Sequence, residues 1–421
     1  MIGQIGYSIA ELNRNAPTNF PMTQFLDSPM LDVLIVGAGP AGSVAGAILA
    51  RAGARVRIVD RAMFPRDKLC GDTVNPGTLA RLQALDLAAG IDERSLRVGG
   101  MRVTGERGVA IEGRYPGGLS GRAITRRDLD WLLLQQAIAA GCQFEAGLAV
   151  RRAMVEEQGT SPSVGGAVTG ADGHETSIAA RVTIAADGRH STIAFGLGLA
   201  QHPQRPRRWA IGAYFENFLP PRVRPGSDPS LTPAFGEMHV RRGHYIGVAP
   251  VPGGLTNVCL VRPSGAGDAA LGNPAGLLTA ALACDPQLRA RAAGAQLIGS
   301  PVVLGPLAVD VRDAAIDGLL LAGDAAGFID PITGDGLHFA THGAELAAAA
   351  ALQALAHGWP GVHARLASER RRAFGGKWRF NRALRALVAS PNGVDAAALG
   401  ARLAPGVLHA VIARAGDCSA A

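Results

Sequence analysis

One stretch constrains this chain more than any other: DVLIVGAGPAGSVAGAILARAGARVRIVD, from Asp32 to Asp60. A short apolar run, Val33 to Val36, enters a Gly-rich turn, Gly37-Ala38-Gly39-Pro40-Ala41-Gly42. Small residues then continue at helical spacing through Ala50, and a second β-rich run, Val56 to Val59, ends on Asp60. Strand, GxGxxG, helix, strand and terminal acid in this register predict a βαβ unit that binds a dinucleotide. Gly37 permits the tight turn, Gly39 lets the backbone approach a pyrophosphate, and Gly42 lets helix and strand pack closely. The helix N-terminus offers free N–H groups and a partial positive charge to the phosphates. Asp60 is placed to accept ribose hydroxyls; Arg61 directly after it leaves a 2′-phosphate partner open.

With 421 residues the chain has room for two or three domains. A hydrophobic share of 48% against 18% charged residues predicts a globular fold. The net charge is +7, yet aromatic residues make up only 5%. A basic surface without aromatic platforms argues against nucleic-acid binding. Lysine occurs only at Lys68 and Lys377. The five cysteines, Cys70, Cys142, Cys259, Cys284 and Cys418, show no metal-ligand spacing, so no metal site is expected. The N-terminus lacks the pattern of a secretory signal and no apolar run is long enough to span a bilayer. The expected location is cytoplasmic, with residues 1–30 a flexible extension.

The loop after Asp60 gathers Lys68, Cys70, Gly71 and Asp72 where a plain connector would suffice. Residues 96–120 read as a β-hairpin, and Arg126 opens a helix through Ala140. Glu156 to Asp172 reads as a hairpin or surface loop. Alternating runs at Trp209–Phe215, Gly236–Val240, Tyr245–Val251 and Asn257–Val261 predict an antiparallel sheet, followed by helix over 273–294. Gly318–Asp324 reads as a third buried strand feeding a long Ala-rich helix. The last segment carries Arg365, Arg370, Arg371, Arg372, Lys377, Arg379, Arg382 and Arg385 between apolar residues. It reads as a solvated basic helix face or a peripheral contact with a membrane surface.

GAGPAG at 37–42, FPRDKLCGD at 64–72, ADGRHS at 186–191 and GDAAGFIDPITGDG at 323–336 fall in one order along the chain. Together they resemble the FAD-dependent oxidoreductases of the aromatic-hydroxylase-like superfamily. The second of them is most similar to the geranylgeranyl reductase and flavin-halogenase branch. The resemblance spans about Asp32 to Ala356 and is thin over 201–300. It implies an α/β fold: a Rossmann-like, three-layer ββα FAD-binding domain, an inserted antiparallel β-sheet substrate domain and C-terminal helices. The implied division is 31–95, 121–200 and 301–356 for FAD, 96–120 and 201–300 for substrate, and 357–421 for the helical end. By position, Gly37, Gly39, Pro40, Ala41 and Gly42 would cradle the pyrophosphate, with Asp60 and Arg61 at the adenosine ribose. Arg126 would lie near the phosphates, Asp187 near FAD and nicotinamide, and Gly323 and Asp324 at the ribityl chain. Pro331, Gly334, Gly336 and Leu337 would lie under the flavin ring, with Cys70 and Gly71 beside it. Asp335, awkward for an anion, is expected to point to solvent.

Only one GxGxxG occurs, so no second nucleotide domain is expected; the resemblance implies NADPH or NADH as a transient electron donor, and another donor is the alternative. Cys70, Tyr245 and His338 are the candidate pocket residues. Tyr245-Ile246-Gly247-Val248-Ala249-Pro250 matches a Y-x-W-x-F-P segment of the reductase branch, with Gly247 where a Trp is usual. The enlarged pocket turns the reading toward a monooxygenase acting on a hydrophobic aromatic or polyketide-like molecule. A double-bond reductase of the geranylgeranyl-reductase type is the alternative, and a flavin-binding protein without turnover is the third.

Overall fold

The computed structural model describes residues 30–158, 161–171, 174–204, 207–220, 234–265, 267–389, 393–403 and 405–418. The expected N-terminal extension lies outside these residues apart from Met30.

β1 (Leu31–Val36) passes through the Gly-rich turn into α1 (Pro40–Arg51) and returns as β2 (Val56–Asp60). Pro40 takes the first helical position, where a missing N–H costs nothing. Nine of the twelve α1 residues are buried, because their small side chains let the helix lie close on the sheet. A Cβ on Gly46 would come within 2.7 Å of the Ile58 side chain. After the loop come β3 (Thr73–Val74), α2 (Pro76–Ala84), β4 (Leu96–Thr104), β5 (Ala110–Arg114) and β6 (Gly121–Ala123). Both α2 and α3 (Arg126–Ala139) start on side-chain caps: Asn75 accepts from the Thr78 N–H and Thr125 from the Asp128 N–H. Next are β7 (Gln143–Ala146) and the antiparallel strands β8 (Val150–Gln158), β9 (Ser161–Ala171) and β10 (His174–Ala185). Strands therefore fill most of the stretch read as a hairpin or loop.

α4 (Thr192–Gly196) and β11 (Ala200–Gln201) lead to β12 (Arg208–Glu216), β13 (Ala234–Arg241), β14 (His244–Val251) and β15 (Leu255–Pro263). α5 (Pro274–Cys284), α6 (Arg289–Ala292) and β16 (Gln296–Leu304) follow, then β17 (Asp310–Val311), β18 (Ala315–Ile316) and β19 (Leu319–Leu321). The chain ends in α7 (Gly336–His357), α8 (Val362–Ala389), α9 (Gly393–Leu403) and α10 (Pro405–Ala415).

Two sheets organise these elements. In the first, β19, β10, β1, β2 and β7 run parallel in that order, and α1 packs over them against α3 and α7. In the second the order is β16-β12-β15-β14-β13-β4-β6-β3, with β5 on β4. The expected antiparallel pairing holds from β12 to β15. The sheet as a whole is mixed, because β4 joins β13 in parallel from a distant part of the chain. Alternate residues of the second sheet face opposite ways. Ile211, Phe215, Ile246, Val248, Val258 and Leu260 pack with Leu278 and Leu282 of α5. Ala210, Tyr245 and Val261 instead pack with Leu307 and Ile332, toward the first sheet's loops.

Candidate functional site

Register brings the separated motifs to one edge. Val36 pairs with Val59 and with Ala185, and Ala185 pairs with Leu321. The residues that follow these pairs are Gly37, Asp60, Ala186-Asp187 and Ala322-Gly323. All lie at the carboxyl ends of parallel strands, where open α/β sheets bind ligands. A Cβ on Gly37 would meet the Ala186 carbonyl oxygen at 2.5 Å, and one on Gly323 would meet the Ala41 Cβ at 2.9 Å. Gly37, Ala41, Ala186 and Gly323 thus lie close together at one edge of the sheet. A cavity of about 920 Å³ lined by Ala54, Val56, Gln143 and Ile178 sits at the amino ends of the same strands. It opens at the wrong edge to serve these motifs.

At the turn, the Asp60 carboxylate accepts the Ala38 N–H at 2.8 Å and the Ala62 N–H at 2.9 Å. The loop 64–72 crosses the groove. Arg66 reaches to 3.5 Å from where a Cβ on Gly39 would stand and pairs with Asp130 at 3.1 Å. Arg126 is buried and holds Asp130 through two hydrogen bonds of 2.6 and 2.8 Å. One carboxylate thereby holds two guanidinium groups, of which that of Arg66 reaches the Gly-rich turn. Lys68 stands near Gly188; burial, then the neighbouring Arg126, push its ammonium down to about 8. Burial also raises the Asp187 carboxyl, while the Thr192 N–H donates to it at 2.9 Å. Arg61, the other ribose candidate, is exposed. Arg66, Asp130 and Arg189 were not singled out from sequence; the Arg-x-x-Leu-Asp pattern at 126–130 was the available signal for Asp130.

Two buried acid–tyrosine pairs tie the groove to the second sheet. Asp72, at φ +52°, accepts the Tyr214 hydroxyl at 2.6 Å, the Asn257 amide at 2.5 Å and the Arg126 N–H at 3.3 Å. Burial still pushes its carboxyl up to about 6. Asp330 accepts the Tyr245 hydroxyl at 2.6 Å and the Arg208 guanidinium at 3.5 Å. Burial and then Asp330 raise the Tyr245 phenol, so it stays a neutral donor. Between the pairs lies a cross-strand row, Gly212, Cys259, Gly247 and Met238. Leu69 fills the space over Gly212, whose added Cβ would be 2.1 Å from it. Among the described residues nothing fills the space over Gly247, where the nearest atom to an added Cβ is the Cys259 carbonyl oxygen at 3.9 Å. Cys70 is partly buried in the same loop, and its carbonyl accepts the Asn257 amide at 2.8 Å. Gly71 is exposed.

The segment after β19 folds back onto the groove. Pro331 opens a single turn, Pro331–Thr333, and Gly334 at φ +68° hands over to Asp335 and Gly336, the start of α7. A Cβ on Gly334 would stand 3.7 Å from the Thr73 hydroxyl, so this turn adjoins the loop carrying Asp72. Leu337 is buried in the core shared with α1. The structure corrects the expectation for Asp335: it does not point to solvent but is 2% exposed and pairs with Lys377 at 3.0 Å. Lys377 and Arg370 are buried too, so the basic segment is not one continuous solvated face. A helix of this length must pack one side on the molecule, and charge repeats alone do not show which. His338 is buried beside Phe374 and His342, with Nδ1 3.4 Å from Asp417. Burial, then Lys377, push its imidazole down to about 3, so it is neutral.

FAD fits these residues on their own geometry. A Cβ on Gly42 would lie 1.8 Å from the Gly37 carbonyl oxygen, which fixes the close turn a pyrophosphate requires. The Arg189 guanidinium is 8% exposed, and its Nη1 has no hydrogen-bond partner among the described residues. Asp324, Cys70 and Arg126 lie within its electrostatic reach. A buried donor of this kind calls for an acceptor, which an anionic ligand would supply.

Residues 30–227 match a family model described as FAD binding domain. The chain is 32% identical over 332 residues to a menaquinone reductase of Mycolicibacterium smegmatis, covering 75% of each chain. It is 29% identical over 334 residues to a geranylgeranyl diphosphate reductase of Rhodobacter capsulatus, covering 78% of this chain and 77% of that one. Among solved structures, a flavin-dependent brominase superposes with a TM-score of 0.77 at 22% identity, covering 92% of this chain and 94% of that one. A geranylgeranyl bacteriochlorophyll reductase-like protein from Thermoplasma acidophilum superposes with a TM-score of 0.72 at 22% identity, covering 87% and 90%. At such identities the superpositions speak for the fold alone.

Proposed function

We infer that this chain, which belongs to the FAD-binding-domain oxidoreductases related to menaquinone and geranylgeranyl reductases, is a flavin-dependent double-bond reductase for a hydrophobic isoprenoid or quinone-like molecule. The observation that carries this reading is the 32% identity to a menaquinone reductase over three quarters of both chains. The monooxygenase reading drawn from the Gly247 opening gives way to it. An enlarged pocket is equally what a quinone ring or a branched chain needs.

The Gly37–Gly42 turn and the start of α1 hold the pyrophosphate, with Arg66 and Arg126 balancing its charge. Asp60 serves the adenosine ribose and Asp324 the ribityl chain. Pro331, Gly334, Gly336 and Leu337 present backbone to the flavin ring. When bound, the flavin supplies two-electron transfer to a carbon–carbon double bond. The protein's part is placement and exclusion of water. Substrate enters over Gly247, with Cys70, Cys259 and Met238 giving an apolar wall. The phenols of Tyr245 and Tyr214 are held in fixed orientation by their carboxylate partners. NADH or NADPH, as a passing donor, completes the reading, as does a peripheral contact with an anionic lipid surface through the C-terminal helices.

The test is anaerobic. Protein reduced in the absence of O₂ is mixed with menaquinone or with geranylgeranyl diphosphate, and the flavin absorbance is followed. Reoxidation that depends on one of these is expected, with two hydrogens added across a double bond of the isoprenoid chain, a gain that survives re-oxidation of any quinol in air. O₂ uptake coupled to a hydroxylated product, with no anaerobic reoxidation, would return the monooxygenase reading.

A further inference from the structure

The end of the described chain closes onto the turn that the preceding section assigns to the flavin ring, and the inference here rests on that assignment. The Gly77 N–H donates to the Gly416 carbonyl at 3.0 Å, and the Asn75 amide donates to the Asp417 carboxylate at 3.1 Å. The fit is close: a Cβ on Gly77 would meet the Asp417 carbonyl oxygen at 2.3 Å. Lys377 holds this end from α8. Its ammonium donates to the Arg414 carbonyl at 2.7 Å, the Ala415 carbonyl at 3.2 Å and the Asp417 carboxylate at 2.9 Å. The same ammonium lies 3.0 Å from Asp335, which stands between Gly334 and Gly336 at the mouth of α7.

All three charged groups are cut off from water: Lys377 and Asp335 are each 2% exposed and Asp417 is 8% exposed. His338, the other ring against Asp417, is neutral and adds no charge. Lys377, Asp335 and Asp417 thus carry one positive and two negative charges, a net of −1 for these three, with the Arg81 and Arg414 guanidinium groups next around His338. Buried charge is screened weakly, so it acts at a distance on a neighbouring site. Reduction places negative charge on the flavin ring. A bare carboxylate at the mouth of α7 would oppose it, working against the helix N-terminus that favours it.

We propose that Lys377 is a positioning residue that neutralises Asp335 and, through Asp417, clasps the C-terminal turn to the ring-binding segment, so that the clasp sets the reduction potential of the bound flavin. Charge accounting gives opposite signs for the two ends of the clasp. Lys377→Met, once both carboxylates are ionised, leaves a net −2 and weakens binding of reduced relative to oxidised FAD. Asp417→Asn leaves the cluster neutral and strengthens it. A purely mechanical clasp is loosened by both changes and predicts no such opposition.

The experiment measures the midpoint potential of FAD-loaded protein from pH 8 to pH 10, because burial raises the Asp335 carboxyl to about 6 even beside Lys377 and losing that cation raises it further. FAD affinity of the apoprotein and thermal melting are measured alongside. The expected shifts are on the order of tenfold in relative affinity, about 30 mV for a two-electron couple, downward for Lys377→Met and upward for Asp417→Asn. Lys377→Arg keeps the charge and should stay near the unchanged protein. If Lys377→Met does not fold, Asp335→Asn, which also removes a negative charge, must shift the potential upward. Equal potentials in all folded variants, or shifts in the same direction for Lys377→Met and Asp417→Asn, overturn the proposal. A wild-type protein that takes up no FAD refutes the assignment of the ring site instead, which keeps the two failures apart.

Discussion

Gly42 shows how narrow the tolerance of the cofactor turn is. An added methyl group would stand 1.8 Å from the Gly37 carbonyl oxygen, a backbone atom that cannot swing aside. Gly42→Ala should therefore cost about 1–3 kcal/mol and yield protein with little 450 nm absorbance. Full colour and an unchanged melting temperature would contradict the cradle. Gly247 is the opposite case, since nothing among the described residues waits where its Cβ would be. Gly247→Trp should fold normally and lose turnover of a bulky substrate on the order of tenfold, measured as kcat/KM; an unchanged scope would remove Gly247 from the pocket wall. Asp72 adds a pH signature. Its folded pKa, raised to about 6, stands above the ordinary 3.8. Between those values the folded protein keeps a proton that the unfolded chain has released, so this group's contribution to stability declines as pH rises from about 4 to about 6. A two-unit shift corresponds to about 2–3 kcal/mol. Asp72→Asn cannot ionise, so urea unfolding from pH 4 to 7 should show a variant curve lacking that share of the decline. Parallel curves would refute it.

At the scale of elements, the last helices matter most. Leu399, Leu403 and Val407 are 59%, 77% and 62% exposed where α9 meets α10, and Leu387 near the end of α8 is 41% exposed. Arg371, Arg372, Arg379 and Arg382 are exposed on α8, and no acidic residue occurs between Arg370 and Val394. Aliphatic tips beside basic residues suit the boundary of an anionic bilayer. Among the described residues no helix is long and apolar enough to cross one. Replacing Leu399, Leu403 and Val407 with Ser should lower co-sedimentation with vesicles containing anionic phospholipid by about tenfold while leaving melting unchanged. Equal binding by the variant, or by neutral vesicles, would eliminate this surface. The elements were unequally readable from sequence. Strand, turn and helix at 32–60 were legible because their signals lie within thirty residues and each depends on local geometry. The pairing of β4 with β13 was not, because nothing local to either strand names a partner more than a hundred residues away.

Taken whole, the molecule assembles its groove from segments that meet only after folding. Gly37, Asp60, Asp187 and Gly323 were each visible as motif members, and strand register accounts for their meeting. The Asp72, Tyr214 and Asn257 cluster was invisible, since its members are 142 and 185 residues apart and of ordinary types. The choice between reduction and oxygenation was also hidden, because both need the same cradle and differ in what touches the substrate. A groove of this kind predicts how its parts respond to ligand. ADP would engage only the turn, Asp60 and the Arg66–Arg126 pair; FMN would engage only the segment around Asp324 and Gly336. FAD would span both and bring an anion toward Arg189, whose buried Nη1 has no partner among the described residues. Ligand that binds only the folded state stabilises it by about 2.7 kcal/mol at one hundred times its Kd. Apoprotein melted with each compound at the same concentration should therefore gain most from FAD and only slightly from ADP or FMN, because joining two weak sites multiplies their affinities. A shift with ADP as large as that with FAD would mean that the adenosine end alone is formed, and that the distant segments do not share one site.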